Sequence, residues 1–410
     1  MRTYRLLTTL LSPATAWLLQ RRRQRVPLKF SPRDFSALKN PGKPPKKAPV
    51  QPLKRPIWLH CASAGEVVAA QPLIKALQKT QRPLLVSLWS PNGAIKLQQL
   101  FGDTIPWTWL PWDAPRTMRQ FVAALQPEQL WIMETEIWPN MLLAAQRAGV
   151  PTLYINGRLT DKTLHAPRWL KKAYQTGLRH VDKVLARSAA DAERFAQLGV
   201  ATERIEVAGN LKWVAATQLT HAPPPPLRNA PYHLFASIYR EEAATLLPRL
   251  AAQRSSTPWV LVPRRPEQDA QPLAELAQAA GLRPALIHQD QQARTTTADL
   301  LIETRFGTLT RWIAAASTVI MGGSFAPYGG HNFLEAAALG KPIILGPHME
   351  DFAEETALFH QAGALIQTPS IPAALQAVNH LPAQLGEQAQ HLLQQHAGAI
   401  IKRYTDSLGL

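Results

Sequence analysis

The sequence has a single cysteine and few acidic residues, and both shortages narrow what the protein can be. Cys61 has no second cysteine to pair with, so the chain forms no intramolecular disulfide and no cysteine-based zinc site. Asp and Glu number 28, against 45 Lys and Arg, which gives a net charge of +17 over 410 residues. Charged residues make up only 18% and apolar residues 46%, a composition that excludes disorder over most of the chain and suffices for two domains.

The positive charge is concentrated at the N-terminus. Residues 1–60 contain 14 Lys and Arg and one acid, Asp34, a net charge of +13, which leaves +4 for the other 350 residues. A nucleic-acid-binding protein carries its positive patch on a folded surface, usually interleaved with aromatic residues. Few aromatic residues follow Trp17 in this basic segment. The sequence therefore argues against nucleic acid as a partner.

The chain also lacks a long apolar run at this end. Residues 6–19 are mostly apolar, but a helix of that length rises only about 21 Å, short of the roughly 30 Å hydrocarbon core of a bilayer. Flanking arginines favour a membrane anchor or interfacial helix over residues 1–25, on the cytoplasmic side. A signal peptide is the rival, although arginines stand where its cleavage site would lie, and a mobile basic tail is the other alternative. Residues 26–56, with eight prolines, predict a basic tether suited to anionic phospholipid.

From Ile57 onward, short apolar runs alternate with helical patterns, which predicts an α/β fold of parallel sheets covered by helices. The proline-rich run at 221–231 separates two such series. We therefore predict two doubly wound Rossmann-like domains, 57–220 and 232–385, facing each other across a cleft, and a C-terminal helix at 386–410 that can pack back on the first domain. Nucleotide-sugar glycosyltransferases have this architecture, and so do sugar-nucleotide epimerases and phosphorylases.

The turn after the first predicted strand contains Ser63, Gly65 and Glu66. Small residues let the backbone turn sharply, and Glu66 then begins a helix at the predicted cleft. Its carboxylate can accept a proton from a substrate hydroxyl, and the helix N-terminus is expected to keep it ionised. The alternative is an acid that only complements the helix dipole.

Glu134 and Glu136 lie at the end of the predicted strand at 130–135 and precede the turn Trp138-Pro139-Asn140. Two carboxylates two residues apart point to the same side of an extended chain, so they form either a site or a repelling surface pair. Four further residues follow strands near the predicted cleft: Asn210, Lys212, Pro263 and Arg264. The cations Lys212 and Arg264 can neutralise a leaving phosphate there, or can be ordinary surface residues.

A glycine-rich segment, residues 322–335, follows a strand and opens a helix. Asn332 and Glu335 have the spacing of an N-cap and its capping-box partner. The glycines permit close backbone approach, and free amides at the helix start can hold a phosphate. The candidate nucleotide-binding residues here are Gly322, Gly323, Ser324, Gly330, His331, Asn332, Phe333, Leu334 and Glu335.

Taken in order, these motifs resemble those of the Kdo transferases, which attach 3-deoxy-D-manno-octulosonic acid from CMP-Kdo to the lipid A precursor. The resemblance runs from about Ile57 to Glu355. It comprises the Ser-x-Gly-Glu turn, the Met-Glu-Thr-Glu-Ile-Trp-Pro-Asn block, Gly-Asn-Leu-Lys, Val-Pro-Arg-x-Pro-Glu, and Gly-Gly-Ser with Gly-Gly-His-Asn-x-x-Glu. It implies a GT-B glycosyltransferase at the cytoplasmic face of the inner membrane, with a CMP-sugar donor, an anionic lipid A precursor as acceptor, and no metal or other cofactor.

The resemblance also implies a role for each candidate residue. Glu66 would be the general base, while Glu136 and Lys212 would stabilise the transition state. The acceptor-side residues would be Ser63, Gly65, Glu134 and Asn210. The CMP portion of the donor would contact Pro263, Arg264, Gly307 and the candidates of residues 322–335.

The chain departs from the family pattern mainly on the donor side. Tyr239 and Arg240 stand where the pattern has a histidine and an acid, and Arg265 replaces a usual histidine. Residues 303–308 form an altered, longer loop. These departures leave two alternatives open: a divergent paralogue with another donor sugar or acceptor glycan, and a non-catalytic relative that binds lipid or nucleotide.

Overall fold

The computed structural model describes residues 1–12, 14, 15, 18, 21, 54–221, 223–253 and 257–410. Contacts divide the chain into two compact units, Met1–Ala215 with Ala399–Leu410, and Ala216–Gly398. Nearly all of the predicted tether at 26–56, and several positions of the apolar run at 6–19, lie outside the described residues. Among the described helices, none combines the length and the apolar character needed to cross a membrane.

The first unit is built on a seven-stranded parallel sheet with strand order β3-β2-β1-β4-β5-β6-β7. Ile57 is level with Leu84 on one side and Gln129 on the other. Every residue of the two strands β1 and β2 is buried, as expected for a parallel sheet covered on both faces. The strands are β1 Ile57–Cys61, β2 Leu84–Leu88, β3 Trp107–Trp109, β4 Gln129–Met133, β5 Thr152–Gly157, β6 Lys183–Ala186 and β7 Ile205–Val207.

Helices join these strands, and several begin at a serine that caps the first turn. The hydroxyls of Ser63, Ser90 and Ser188 each accept the backbone N–H of the third residue of the following helix. The helices of this part of the chain are Arg2–Leu10, Ala64–Thr80, Pro91–Phe101, Pro115–Leu125, Pro139–Arg147, Asp161–Leu164, Arg168–Leu178, Ala189–Gln197 and Leu211–His221, with a 3₁₀ turn at Thr202–Arg204.

The second unit repeats the plan, with strand order β10-β11-β9-β8-β12-β13-β14. Its strands are β8 His233–Ile238, β9 Trp259–Pro263, β10 Pro284–Ile287, β11 Leu300–Glu303, β12 Thr318–Met321, β13 Ile343–Leu345 and β14 Ile366–Gln367. Its helices are Arg240–Gln253, Pro266–Ala279, Asp290–Thr295, Leu309–Ile313, Leu334–Ala338, Ala353–Gln361, Ile371–Val378 and Leu385–Leu408, with a 3₁₀ turn at Glu350–Phe352. From Ala399 onward, the last of these helices belongs to the first unit.

The predicted α/β class with two doubly wound sheets is confirmed. The predicted apolar runs correspond to β1, β2, β4–β9 and β11–β13, at 57–60, 84–89, 130–135, 152–156, 183–188, 205–209, 234–238, 259–263, 300–304, 318–323 and 342–346, while β3, β10 and β14 were not predicted. All three are edge strands of two to four residues. An edge strand is less enclosed than a central one, so its sequence carries only a short apolar signal.

In both sheets the strand order reverses at the first strand, since β1 lies between β2 and β4, and β8 lies between β9 and β12. A reversal leaves a crevice at the carboxyl ends of the two strands, which is where doubly wound sheets bind ligands. The turns at 61–66 and 134–138 follow β1 and β4. The turns at 239–242 and 322–333 follow β8 and β12. The topology therefore brings the Glu66 and Glu134 motifs together at the switch point of the first unit, and places the glycine-rich segment at that of the second.

Candidate active site

Glu66 lies in the first turn of helix Ala64–Thr80, and only 5% of its surface is exposed. Its carboxylate accepts the Ala62 N–H at 2.6 Å and the Ser63 hydroxyl at 3.0 Å, while the same hydroxyl accepts the Glu66 N–H at 3.3 Å. Ser63 is therefore both the cap of the helix and a partner of the carboxylate. These contacts hold the Glu66 carboxylate at the carboxyl end of β1.

Burial raises the pKa of Glu66 well above its ordinary value, and the charges of Glu134 and Glu136 raise it further. Hydrogen bonds from Ala62 and Ser63 oppose the shift without cancelling it. The pKa of Glu66 is thus shifted in the direction opposite to the one expected from its place at the helix start. Loss of water around the carboxylate and two like charges nearby outweigh the helix dipole.

Glu134 follows β4 in a turn and not on an extended strand. It has φ 52°, a left-handed conformation that is unfavourable for a residue with a side chain. The prediction that Glu134 and Glu136 point to one side of an extended chain is therefore wrong. The turn nevertheless brings both carboxylates close enough to Glu66 to act on its pKa, and burial also raises the pKa of Glu136.

Lys212 neutralises one of these carboxylates, with its Nζ 3.0 Å from Glu134 Oε1. Asn156 Nδ2 donates to the same oxygen at 3.3 Å, and Asn156 Oδ1 accepts the Leu211 N–H at 2.9 Å. Asn210 Oδ1 in turn accepts the Lys212 N–H at 3.1 Å. The Gly-Asn-Leu-Lys segment and the Glu134 turn are therefore joined through Asn156, a residue that was not singled out in the sequence.

Replacing Lys212 by Met is expected to destabilise the protein by roughly 3 kcal/mol, because it leaves the buried Glu134 carboxylate without its cation. Lys183→Met is the matched control, since Lys183 pairs with Glu206 at 2.9 Å but both side chains are about one-third exposed. That pair is expected to contribute less than about 1 kcal/mol. Urea unfolding of both variants tests this, and equal midpoints would contradict the structural importance of the Lys212 pair.

The C-terminal helix supports the same segment. Tyr404 donates its hydroxyl to the Gly209 carbonyl at 2.9 Å, and Ile400 packs against Gly209. Gly209 has φ 97°, and a Cβ there would lie 2.8 Å from Ile400 Cγ1, so the position requires glycine. The last turns of the chain thus fix the backbone that leads to Asn210 and Lys212.

In the second unit, the carboxylate of Glu242 organises the glycine-rich turn. It accepts the N–H groups of Gly323 at 2.9 Å, Tyr239 at 3.0 Å and Phe325 at 3.1 Å, and the residue is only 2% exposed. A Cβ at Gly322 would lie 2.6 Å from the Ser237 carbonyl oxygen, so only glycine fits at this position. The Gly323 and Phe325 amides are therefore bonded within the protein.

Several predicted donor-side residues face the interior. Ser324, Phe333 and Leu334 are completely buried, and the Ser324 hydroxyl bonds the Met321 carbonyl and the Gly346 N–H. Their side chains serve packing, and only their backbone can reach a ligand. Gly330 is also buried and has φ 78° beside Met349.

The predicted capping box at Asn332 and Glu335 is not formed. Asn332 Oδ1 accepts the Leu334 N–H at 3.2 Å, whereas a Glu335 carboxylate oxygen accepts the Thr310 hydroxyl at 2.8 Å. The helix itself begins at Leu334, with Phe333 at the N-cap. Thr310 lies in a separate helix, so the spacing between Asn332 and Glu335 could not reveal it as a partner of Glu335.

An aromatic ring stacks on His331. Tyr239 stacks on Tyr328, with ring centroids 4.0 Å apart, and on His331, with centroids 5.7 Å apart. Burial lowers the pKa of His331 to about 4, and the nearby charge of Arg264 contributes to the shift. His331 is therefore neutral at pH 7, with the exposed Arg264 supplying the positive charge beside it.

The altered loop at 303–308 has its own charge network. Glu303 is completely buried and accepts from Arg305 and, at 2.8 Å, from Trp312 Nε1. Arg305 also pairs with Asp290 at 2.7 Å. Gly307 follows with φ 87° and lies exposed, while Pro263 is buried at the end of β9. Arg305 is thus committed to carboxylates of the same unit.

Two sequence patterns point to Asn156 and Glu242, which the predicted motifs did not include. Asn156 precedes Gly157 at the end of β5, and an Asn-Gly pair favours the left-handed backbone that Asn156 adopts, φ 55°. Glu242 stands three residues after Tyr239, the spacing at which a side chain reaches back to the start of its helix.

Across the described residues, no set of three or more His, Cys, Asp or Glu side chains is arranged to hold a metal ion.

Comparison with known proteins relates the chain to one family of enzymes. A family model described as 3-Deoxy-D-manno-octulosonic-acid transferase (kdotransferase) matches residues 22–215. The 3-deoxy-D-manno-octulosonic acid transferase of Bordetella pertussis is 34% identical over 393 residues, covering 90% of each chain. That of Haemophilus influenzae is 26% identical over 362 residues, covering 84% of each chain.

Solved structures share the fold. Anabaena Alr3699/HepE in complex with UDP aligns with a TM-score of 0.61 at 17% identity, covering 87% of this chain and 100% of the other. UDP-GlcNAc 2-epimerase from Neisseria meningitidis aligns with a TM-score of 0.56 at 12% identity, covering 85% and 100%. At these identities the likeness concerns the two-domain α/β fold of the GT-B type and not the reaction.

Proposed function

Since this chain belongs to the 3-deoxy-D-manno-octulosonic acid (Kdo) transferase family and is a glycosyltransferase, we propose that it transfers Kdo from CMP-Kdo to a lipid A precursor in lipopolysaccharide biosynthesis, with Glu66 as the general base. The observation that carries the assignment of the base is the position of the Glu66 carboxylate, which is held at the switch point of the first sheet beside Glu134, Glu136 and Lys212.

In the proposed reaction, the ionised Glu66 carboxylate takes the proton of an acceptor hydroxyl. The hydroxyl oxygen attacks the anomeric carbon of Kdo, and the bond from that carbon to the phosphate oxygen of CMP breaks, so that CMP leaves with the electron pair. A raised pKa suits this task, since a base works best when its pKa lies near the working pH. Glu136 and Lys212 act on charge that develops in the transition state, Lys212 while paired with Glu134.

The second unit takes the CMP portion of the donor in this proposal. Arg264 is exposed and lies near the neutral His331, so one cation is available for the phosphate of CMP. The backbone of Gly307 and of residues 330–335 completes the contact. Because Glu242 already bonds the Gly323 and Phe325 amides, its role is to hold the glycine-rich turn in shape. No metal or other cofactor is needed in this scheme.

The N-terminal helix supports a membrane location on the cytoplasmic face of the inner membrane. Helix Arg2–Leu10 buries Thr8 against the folded unit and exposes Leu6 (61%) and Leu10 (68%). A helix packed on a hydrophobic core would bury its leucines and expose its polar residues, and this helix does the opposite. An exposed leucine face flanked by Arg2 and Arg5 fits the boundary between acyl chains and anionic headgroups. We propose that it holds the enzyme where its lipid acceptor lies.

Activity is expected to fall in acid as Glu66 becomes protonated. Only the ionised carboxylate can accept a proton, so kcat/KM is retained at high pH and lost as the pH falls through the raised pKa of the Glu66 cluster. Glu136→Gln removes a neighbouring negative charge, which lowers the pKa of Glu66 and moves the acid limb to lower pH. The pH profiles of kcat/KM for the two proteins measure this, and superimposable acid limbs would contradict it.

The proposed function is tested by transfer from CMP-Kdo to a tetra-acylated lipid A precursor, with the product identified by mass spectrometry. We expect a product larger than the acceptor by one or more Kdo residues. Transfer from a different CMP-sugar in place of CMP-Kdo would indicate a divergent paralogue, for which the stacked Tyr239 at the position of the expected histidine is the distinguishing feature. Binding of CMP without transfer from any donor would indicate a non-catalytic relative.

A further inference from the structure

We infer that the N-terminal helix Arg2–Leu10 is a positioning element of the active site, which through Tyr4 and Thr8 holds the start of helix Pro139–Arg147 and with it the turn that carries Glu134 and Glu136. The inference rests on the proposed function of that turn. It gives the helix a task that is separate from membrane attachment and that uses its opposite face.

The helix is docked on the first unit by buried polar groups. Tyr4 donates its hydroxyl to Asp113 Oδ2 at 2.8 Å, Trp112 Nε1 donates to the Thr8 carbonyl at 2.8 Å, and Asn140 Nδ2 donates to Thr8 Oγ1 at 3.3 Å. Asp113 is completely buried, and Asn140 and Thr8 are 4% and 6% exposed. Buried polar groups that lose their partners cannot recover them from water, so these bonds fix the helix in one position.

Asp113 is also the cap of helix Pro139–Arg147. Trp138, the residue at the N-cap position, supplies no side-chain hydrogen bond. Instead, Asp113 Oδ2 accepts the Asn140 N–H at 3.0 Å and Oδ1 accepts the Met141 N–H at 2.8 Å, while Asn140 Nδ2 donates to the Asp113 carbonyl at 2.6 Å. Tyr4 therefore bonds the same carboxylate oxygen that orients the first turn of this helix.

The start of that helix is one of two supports of the catalytic turn. The other support is β5. The Glu134 N–H donates to the Ile155 carbonyl at 3.0 Å, and the Tyr154 hydroxyl donates to the Glu136 carbonyl at 2.9 Å. The sheet thus holds the turn near Glu134, and Asp113 holds it where it enters the helix. Loosening the second support lets Glu136 shift relative to Glu66, and small displacements of catalytic groups reduce turnover strongly.

The test uses the full-length chain with Tyr4→Phe and Thr8→Val, each of which removes one hydroxyl. Thr9→Val is the matched control, because the exposed Thr9 hydroxyl bonds the Arg5 carbonyl of its own helix, at 2.7 Å. Thr8→Ser restores the hydroxyl at position 8. Transfer is measured with CMP-Kdo and acceptor dispersed in detergent, and membrane attachment by pelleting with phosphatidylethanolamine–phosphatidylglycerol vesicles.

We expect Tyr4→Phe and Thr8→Val to lower kcat about tenfold while KM for CMP-Kdo and pelleting stay at the wild-type level. Thr8→Ser is expected to recover most of the lost turnover, and Thr9→Val to match the wild type. A Leu6→Ser/Leu10→Ser double variant, which changes the exposed face of the helix, is expected to show the opposite pattern. It should pellet less with the vesicles and keep its kcat in detergent. Wild-type kcat in both Tyr4→Phe and Thr8→Val, or a loss of turnover only in step with pelleting, would overturn the inference.

Amide hydrogen exchange separates this inference from the proposed function. Tyr4→Phe is expected to speed exchange of the Asn140 and Met141 amides at least tenfold, with no change in Thr9→Val. This readout needs no turnover, so it decides the coupling even if the wild type transfers no Kdo. Unchanged exchange at both amides would refute the coupling, whereas absent transfer with faster exchange would refute only the assigned reaction.

Discussion

Glu66→Gln is expected to lower kcat by about 10³-fold, within the range that general bases contribute. The substitution preserves the size of the side chain and leaves one oxygen to accept from Ala62 or Ser63. It removes the group that accepts the hydroxyl proton, and no uncharged amide can replace it. Glu134 does not compensate, because its carboxylate is paired with Lys212.

The measurement is transfer of Kdo from CMP-Kdo to the lipid A precursor under saturating conditions, with Glu203→Gln as control. Glu203 is an exposed glutamate of the same unit in the 3₁₀ turn Thr202–Arg204, so its variant carries the same change in charge. We expect the control to retain wild-type kcat. If Glu66→Gln keeps more than a tenth of the wild-type rate, Glu66 is not the base, and the assignment of the reaction to this switch point fails with it.

Glu242→Ala is expected to destabilise the second unit by about 3 kcal/mol, and so to lower its melting temperature by roughly 6–12 °C. Three backbone N–H groups, those of Tyr239, Gly323 and Phe325, lose their acceptor at a site that is almost closed to water. Burial also raises the pKa of Glu242, so removing the carboxylate recovers part of the cost of keeping it there. The loss of three amide bonds is the larger effect.

Thermal unfolding followed by circular dichroism measures this effect, and Glu241→Ala is the matched control. Glu241 is the neighbouring residue on the same helix and is exposed, so its variant is expected to melt within about 2 °C of the wild type. Glu242→Gln keeps one acceptor oxygen and should fall between the two. The KM for CMP-Kdo should rise in Glu242→Ala, because the glycine-rich turn loses its shape. A wild-type melting temperature would show that Glu242 does not hold this turn.

Much of the fold is determined by local sequence patterns. The central strands are continuous apolar runs because both faces of a parallel sheet are covered. The candidate site motifs could be located for the same reason, since each follows directly on a strand and all strands of a sheet point the same way. The order of Ser63, Glu66, Glu134, Glu136 and Lys212 along the chain was enough to assign them to one sheet edge.

The contacts made by these side chains depend on residues that are distant in sequence. Lys212 pairs with Glu134, Glu335 bonds Thr310, and Asp113 joins Tyr4 to Asn140. Burial and carboxylates about seventy residues away in the chain raise the pKa of Glu66, opposite to the shift expected from its helix position. Spacing along the sequence describes a helix or strand, but hydrogen-bond partners and loss of water are set by packing.

The sequence by itself therefore determined the α/β class, the two parallel sheets, the motifs at their carboxyl ends and the family, because each of these is written in periodicity or in consecutive residues. Only the tertiary structure decided which carboxylate is paired, which amides of the glycine-rich turn are already bonded, and that the N-terminal helix turns its polar face to the protein and its leucines outward. These features arise when segments far apart in the chain exclude water from one another, and no local pattern encodes that event.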